Sequence, residues 1–133
     1  MKLIIYSDGG ARGNPGPSAI GVVVKNEQEK TIFSYGEYLG EQTNNFAEYS
    51  GLISGLLKAK ELDANEVECF LDSELVVKQM NRQYKVKEPA LQKLFISAYN
   101  ASSQFKKVTF KHIRREKNKE ADKLVNETLD RRI

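Results

Sequence analysis

Val67-Glu68-Cys69-Phe70-Leu71-Asp72 is a short apolar run that ends in an acid, and its two flanks decide the fold. Before it, from Asn45, Tyr49, Leu52, Ile53, Leu56, Leu57 and Lys60 recur at helical spacing and fade at Leu62-Asp63-Ala64-Asn65. After it, Leu75, Val76, Gln79 and Met80 recur in the same way, and Pro89 opens another helix that carries Leu91, Leu94, Phe95 and Ala98. Val108 to Ile113 is strand-like again. A strand set between helices, with a second strand beyond them, implies right-handed crossovers and parallel pairing.

Further out the pattern changes. Residues 2–8 alternate and then run apolar into Asp8, ending at the Gly9–Gly16 turn cluster. Ala19 to Lys25 holds Ile20, Val22, Val23 and Val24, and Thr31 to Leu39 holds Ile32, Phe33, Tyr35 and Tyr38. The connection at residues 26–30 is short enough for a hairpin, so the first three strands are antiparallel. Asn118 to Arg132 places Ala121, Leu124, Val125, Thr128 and Leu129 on one helical face, with Arg131 and Arg132 near its negative end. The order βββ-α-β-α-α-β-α predicts an α/β domain over residues 1–133: a five-stranded mixed sheet flanked by helices. No internal repeat or linker interrupts it.

At 133 residues the chain suits one core, and no stretch approaches the roughly 20 apolar residues of a bilayer span. The apolar start meets Asp8 too early for a secretory signal, so a cytoplasmic location is expected. Cys69 is the only cysteine, which excludes an internal disulfide and a multi-cysteine zinc site. Net charge is +3 but uneven: Lys106 to Ile133 holds ten Lys or Arg against five Asp or Glu, and Lys78 to Lys93 five against one. A basic face for a polyanion, with acids gathered elsewhere, fits this asymmetry.

The acids are where the chemistry is expected. Asp8 and Asp72 follow apolar strands, and strand ends of this kind collect on one edge of a parallel sheet, where ligands bind. Glu48 stands in the first turn of its helix, and Asp122 early in the last one. Each has a structural alternative: Glu48 completing a capping box with Asn45, Asp72-Ser73 capping a helix, Asp122 complementing a helix dipole. If the four converge, their repulsion demands cations, and an all-oxygen ligand set points to Mg²⁺, with Mn²⁺ as the alternative.

Four segments in order resemble ribonuclease H of type 1: Tyr6-Ser7-Asp8-Gly9-Gly10-Ala11-Arg12-Gly13-Asn14-Pro15-Gly16-Pro17, then Thr43-Asn44-Asn45-Phe46-Ala47-Glu48, then Asp72-Ser73, then Asn118-Lys119-Glu120-Ala121-Asp122. The resemblance covers essentially the whole chain. The resemblance implies a ribonuclease H-like fold and endonucleolytic hydrolysis of the RNA strand of RNA·DNA hybrids. It implies that Asp8, Glu48, Asp72 and Asp122 hold two Mg²⁺ ions on the order of 4 Å apart, leaving 5′-phosphate and 3′-hydroxyl ends. It also implies that Gly9, Gly10, Asn14, Thr43, Asn44, Asn45, Ser73 and Asn118 meet the hybrid, with 2′-hydroxyls rather than base edges distinguishing RNA.

The chain departs from that family's fuller members in two places. His112 is the sole histidine, and the run Phe110 to Asn118 resembles short-loop versions in which this histidine belongs to the strand; Arg115 is the preferred auxiliary group, holding charge or phosphate rather than a proton. Residues 81–89 leave no room for a basic protrusion, so affinity is expected to rest on Lys78, Arg82, Lys85, Lys87 and the basic C-terminal quarter. Double-stranded RNA stays open as a second substrate, and a monomer is expected. Two rivals are a nucleic-acid-binding module without catalysis and a junction resolvase or integrase-like nuclease; four retained acids argue against the first, and Thr43-Asn44-Asn45 against the second.

Overall fold

The computed structural model describes residues 1–132. Its elements are β1 (Lys2–Ala11), β2 (Gly16–Lys25), β3 (Thr31–Gln42), α1 (Asn44–Glu61), β4 (Glu66–Leu71), α2 (Glu74–Met80), α3 (Pro89–Ser102), β5 (Lys107–His112), a 3₁₀ turn (Arg115–Lys117) and α4 (Lys119–Asp130). The strands form one mixed sheet in the order β3-β2-β1-β4-β5. β1 pairs antiparallel with β2, and β2 with β3, whereas β1–β4 and β4–β5 are parallel.

Caps and turns set the helix boundaries. Thr43 caps α1, its Oγ1 accepting the Phe46 N–H at 3.1 Å. Ser73 caps α2 by accepting the Val76 N–H at 3.3 Å. Pro89 occupies the first turn of α3, where its missing N–H costs nothing. One expectation is corrected here. Gly9 and Gly10 belong to β1, paired with Ile20 and Ala19, so the turn is confined to residues 12–15. The 3₁₀ turn before α4 is too short to leave any periodicity.

The main core lies between the sheet and α1. Leu3, Ile5, Val22, Val24, Val67 and Leu71 face Tyr49, Leu52 and Leu56, all at 0–1 % exposure. Each such aliphatic side chain contributes about 1.5–3 kcal/mol. Inside it the Tyr49 hydroxyl donates to Gln79 Oε1 at 2.5 Å, tying α1 to α2, and burial pushes the tyrosine up to about 12. Cys69 is fully buried and its thiol is pushed up by burial, so it packs as a small hydrophobe. On the other face, α4 covers β2 and its neighbours with Val125 and Leu129 over Ala19 and Tyr38. It comes so close that a Cβ on Gly21 would lie 2.2 Å from the Ala121 carbonyl oxygen. No helix among the described residues is long and apolar enough to cross a membrane.

Candidate active site

The β1–β4 register ends at Ser7 opposite Leu71, so the next residues on each strand, Asp8 and Asp72, emerge side by side at the carboxyl edge of two parallel strands. α1 supplies Glu48 from above. A Cβ on Gly9 would sit 2.1 Å from the Ala47 carbonyl oxygen, and only glycine lets the helix backbone press this closely on β1. The Gly9 N–H then reaches both Glu48 Oε1 at 2.7 Å and Asp8 Oδ1 at 2.9 Å. Carboxylate oxygens of Asp8, Glu48 and Asp72 all lie within 4.8 Å of one another. Asp122, in the first turn of α4, lines the same cleft of about 480 Å³ but stands outside that tight triplet. Its Oδ1 takes the Arg115 guanidinium at 3.3 Å.

The electrostatics follow from the crowding. Burial pushes Asp8 up to about 7, and the charges of Asp72 and Asp122 push the same way, while bonds to Glu48 and the Gly9 N–H pull it down. Glu48 is held well above the ordinary carboxylate range by burial and by the charges of Asp8 and Asp72. Arg115, largely exposed, is raised by the Asp122 carboxylate. An oxygen-only set in which Asp8 and Glu48 resist ionisation in the absence of a counter-charge is suited to a hard divalent cation.

The structural alternatives for two acids fall away. α1 begins at Asn44 behind its Thr43 cap, so Glu48 sits in the second turn, past the position a capping box uses, and its expected place in the first turn is corrected. Ser73, not Asp72, caps α2. Asp122 does lie in the first turn of α4, where the helix dipole favours it, and also faces the cleft.

Of the expected substrate contacts, Gly9, Gly10, Asn44, Asn45 and Ser73 line the cleft together with Arg115. Asn14 and Thr43 lie outside its lining: Asn14 Oδ1 accepts the Asn44 N–H at 3.0 Å, and Asn44 Oδ1 in turn accepts the Ala11 N–H at 2.8 Å, so these amides lace the 12–15 turn to the start of α1. Asn118 is a correction. It is 1 % exposed and faces inward, its amide spent on the Ser7 carbonyl. His112 is exposed at the end of β5 and does not line the cleft. Arg12 and Asn126 line it without having been singled out; Asn126 stands one turn beyond Asp122, a spacing that could have marked it.

A family model described as reverse transcriptase-like matches residues 6–128. Ribonuclease HI of Halobacterium salinarum is 36 % identical over 129 residues, covering 97 % of this chain and 65 % of the relative. The solved structure of ribonuclease H1 from that archaeon superposes with a TM-score of 0.96 at 34 % identity, covering 98 % of this chain and 99 % of the other. The chain belongs to the ribonuclease H family, type 1. A second ribonuclease H1, LC11, solved in complex with an RNA/DNA hybrid, superposes with a TM-score of 0.93 at 46 % identity over 98 % of each chain. The bifunctional protein Rv2228c of Mycobacterium tuberculosis is 44 % identical over 131 residues, and this chain spans 98 % of itself but 36 % of that relative's length. As a ribonuclease H the chain is short-looped: α2 and α3 are joined by residues 81–88 with no added helix, and β5 reaches α4 through the 3₁₀ turn alone.

Proposed function

We propose that this chain hydrolyses the RNA strand of RNA·DNA hybrids at the Asp8–Glu48–Asp72–Asp122 cleft. The observation that carries the reading is three carboxylates within 4.8 Å of one another around a single backbone N–H, at the edge of two parallel strands. The hybrid bound by the LC11 ribonuclease H1 supports the substrate. The four acids would hold two divalent ions, Mg²⁺ or Mn²⁺, which when bound supply an activated water and stabilise the departing 3′ oxygen. Products then carry 5′-phosphate and 3′-hydroxyl ends.

The chain's own groups do the rest. The Gly9 N–H fixes Asp8 and Glu48 as a pair, so that their oxygens converge before any ligand arrives. Asp122 is reached from a separate helix and is held by an exposed arginine, a contact that an incoming phosphate can take over. Arg115 then orients phosphate; it does not serve as a base. Backbone and amide groups at Gly9, Gly10, Asn44 and Asn45 present partners for 2′-hydroxyls along the cleft. Away from the cleft, Lys78 lies over the Tyr84 ring at 4.9 Å and Arg82 over Tyr99 at 5.1 Å, two cations placed in advance beside Lys85 and Lys87 for backbone phosphates.

Labelled RNA·DNA, RNA·RNA, DNA·DNA and four-way-junction substrates, each with and without Mg²⁺, test the reading. Cleavage of the hybrid's RNA strand alone, only with Mg²⁺, is expected. Cleavage of RNA·RNA as well would widen the substrate class; Mg²⁺-dependent cleavage of junctions with intact hybrid would replace the reading.

A further inference from the structure

Asn118 is a buried amide, 1 % exposed, at the start of α4. Its Nδ2 donates to the Ser7 carbonyl at 2.9 Å across 111 positions of sequence. Its Oδ1 is buried without a hydrogen-bond partner among the described residues, an arrangement that costs stability. Stability alone does not account for keeping an amide here, so the donor bond is what the position serves.

That bond belongs to a larger pattern. Ser7 and Leu71 are the last paired residues of β1 and β4, and each immediately precedes an acid of the cleft. The Ser7 carbonyl is held by Asn118 Nδ2, and the Leu71 carbonyl by the Ile113 N–H at 2.9 Å. The Asn118 N–H donates to the Arg115 carbonyl at 2.9 Å, and its carbonyl accepts the Asp122 N–H at 3.1 Å. One strap, residues 113–118, therefore grips the backbone just before Asp8 and just before Asp72, and it hands on to the turn that carries Asp122. Asn118 to Ser7 is the one side-chain hydrogen bond between β1 and the start of α4 among the described residues. The opposing force is the repulsion of like charges across the cleft, against which the exposed Arg115–Asp122 pair is weak.

We propose that Asn118 is a positioning residue: by clamping the start of α4 onto β1 at Ser7, it sets Asp122 at the distance from Asp8 at which the two acids take up divalent cations together. The proposal rests on the metal-dependent reading above and deepens it. Asn118 touches neither substrate nor ion; it acts through Asp8 and Asp122.

The test compares wild type, Asn118→Ala and Asn118→Ser, the serine being polar but too short to reach the carbonyl. Mg²⁺ binding is measured without nucleic acid, by calorimetry and by the Mg²⁺-induced rise in melting temperature, and kcat and KM are measured on a uniform hybrid. Both variants are expected to remain folded, to need at least about tenfold more Mg²⁺ for half-saturation, the loss typical of residues that orient metal ligands, and to lose kcat while KM for hybrid stays put. Mg²⁺ half-saturation equal to wild type in a folded variant overturns the proposal. So does a raised KM with unchanged Mg²⁺ affinity, which would make Asn118 a substrate contact. If both variants are unfolded in the cold, Asn118 is a residue of the fold alone and the proposal falls as well. Should wild type itself neither bind Mg²⁺ nor cleave hybrid, it is the underlying reading that fails.

Discussion

Replacing Asp8 by asparagine should make the metal-free protein more stable while removing its chemistry. Asp8 is buried beside two further carboxylates, and its carboxyl is raised from 3.8 to about 7. Between those values the native state keeps a proton that the unfolded chain has released, so this group's contribution to stability falls as pH rises from about 4 to about 7 and stays lost above. At about 1.4 kcal/mol per tenfold, the penalty approaches about 4 kcal/mol near pH 8. An amide of the same shape removes the charge and can still accept the Gly9 N–H, yet it remains a buried polar group, so about 2 kcal/mol of net stabilisation is expected. For a domain of this size that is roughly 6–12 °C in Tm. Thermal unfolding in EDTA near pH 8 and near pH 4.5, repeated with Mg²⁺, reads it directly. The Asp8→Asn advantage should be large at the higher pH and small at the lower, Mg²⁺ should stabilise only wild type, and hybrid cleavage should vanish in the variant. An asparagine variant no more stable than wild type near pH 8, or one that still cleaves, would refute the reasoning.

Other substitutions separate chemistry from architecture. Arg115→Ala removes an exposed pair with Asp122, so stability should move by less than about 0.5 kcal/mol while hybrid cleavage slows; His112→Ala, which lies off the cleft, should leave rate and pH–rate profile unchanged, and an unchanged rate in the arginine variant would eliminate Arg115. Gly9→Ala drives a methyl into the Ala47 carbonyl and should destabilise by about 3 kcal/mol or more, seen as a lower urea midpoint, with cleavage lost because Glu48 is displaced. Tyr49→Phe leaves Gln79 Oε1 buried without its donor and should lower stability by about 1–3 kcal/mol with little change in the pH dependence of cleavage.

The elements were legible because their signals are local. Period-two alternation marked β1 and β3, a near-continuous apolar run marked β2, helical spacing marked α1 and α4, and Pro89 marked the start of α3. Their ends were less legible for a physical reason. Gly9 and Gly10 read as turn residues when only backbone freedom is considered, whereas they are strand residues kept small because α1 leans on them. The cap of α1 was read two residues late, at Asn45, enough to make Glu48 look like half of a capping box when Thr43 and Phe46 close the cap instead.

The amino-acid order alone determined the class of fold, the mixed pairing of its sheet and the identity of four acids placed at element ends, since periodicity and chain order suffice for these. It could not determine that Asp8, Glu48 and Asp72 share one 4.8 Å neighbourhood while Asp122 is turned to Arg115. Nor could it show that Asn118, so close to Asp122 in sequence, spends its amide on Ser7 and not on a ligand. Those outcomes depend on register, on the approach of two backbones and on partners more than a hundred residues away. Only the packed structure brings such groups within bonding distance.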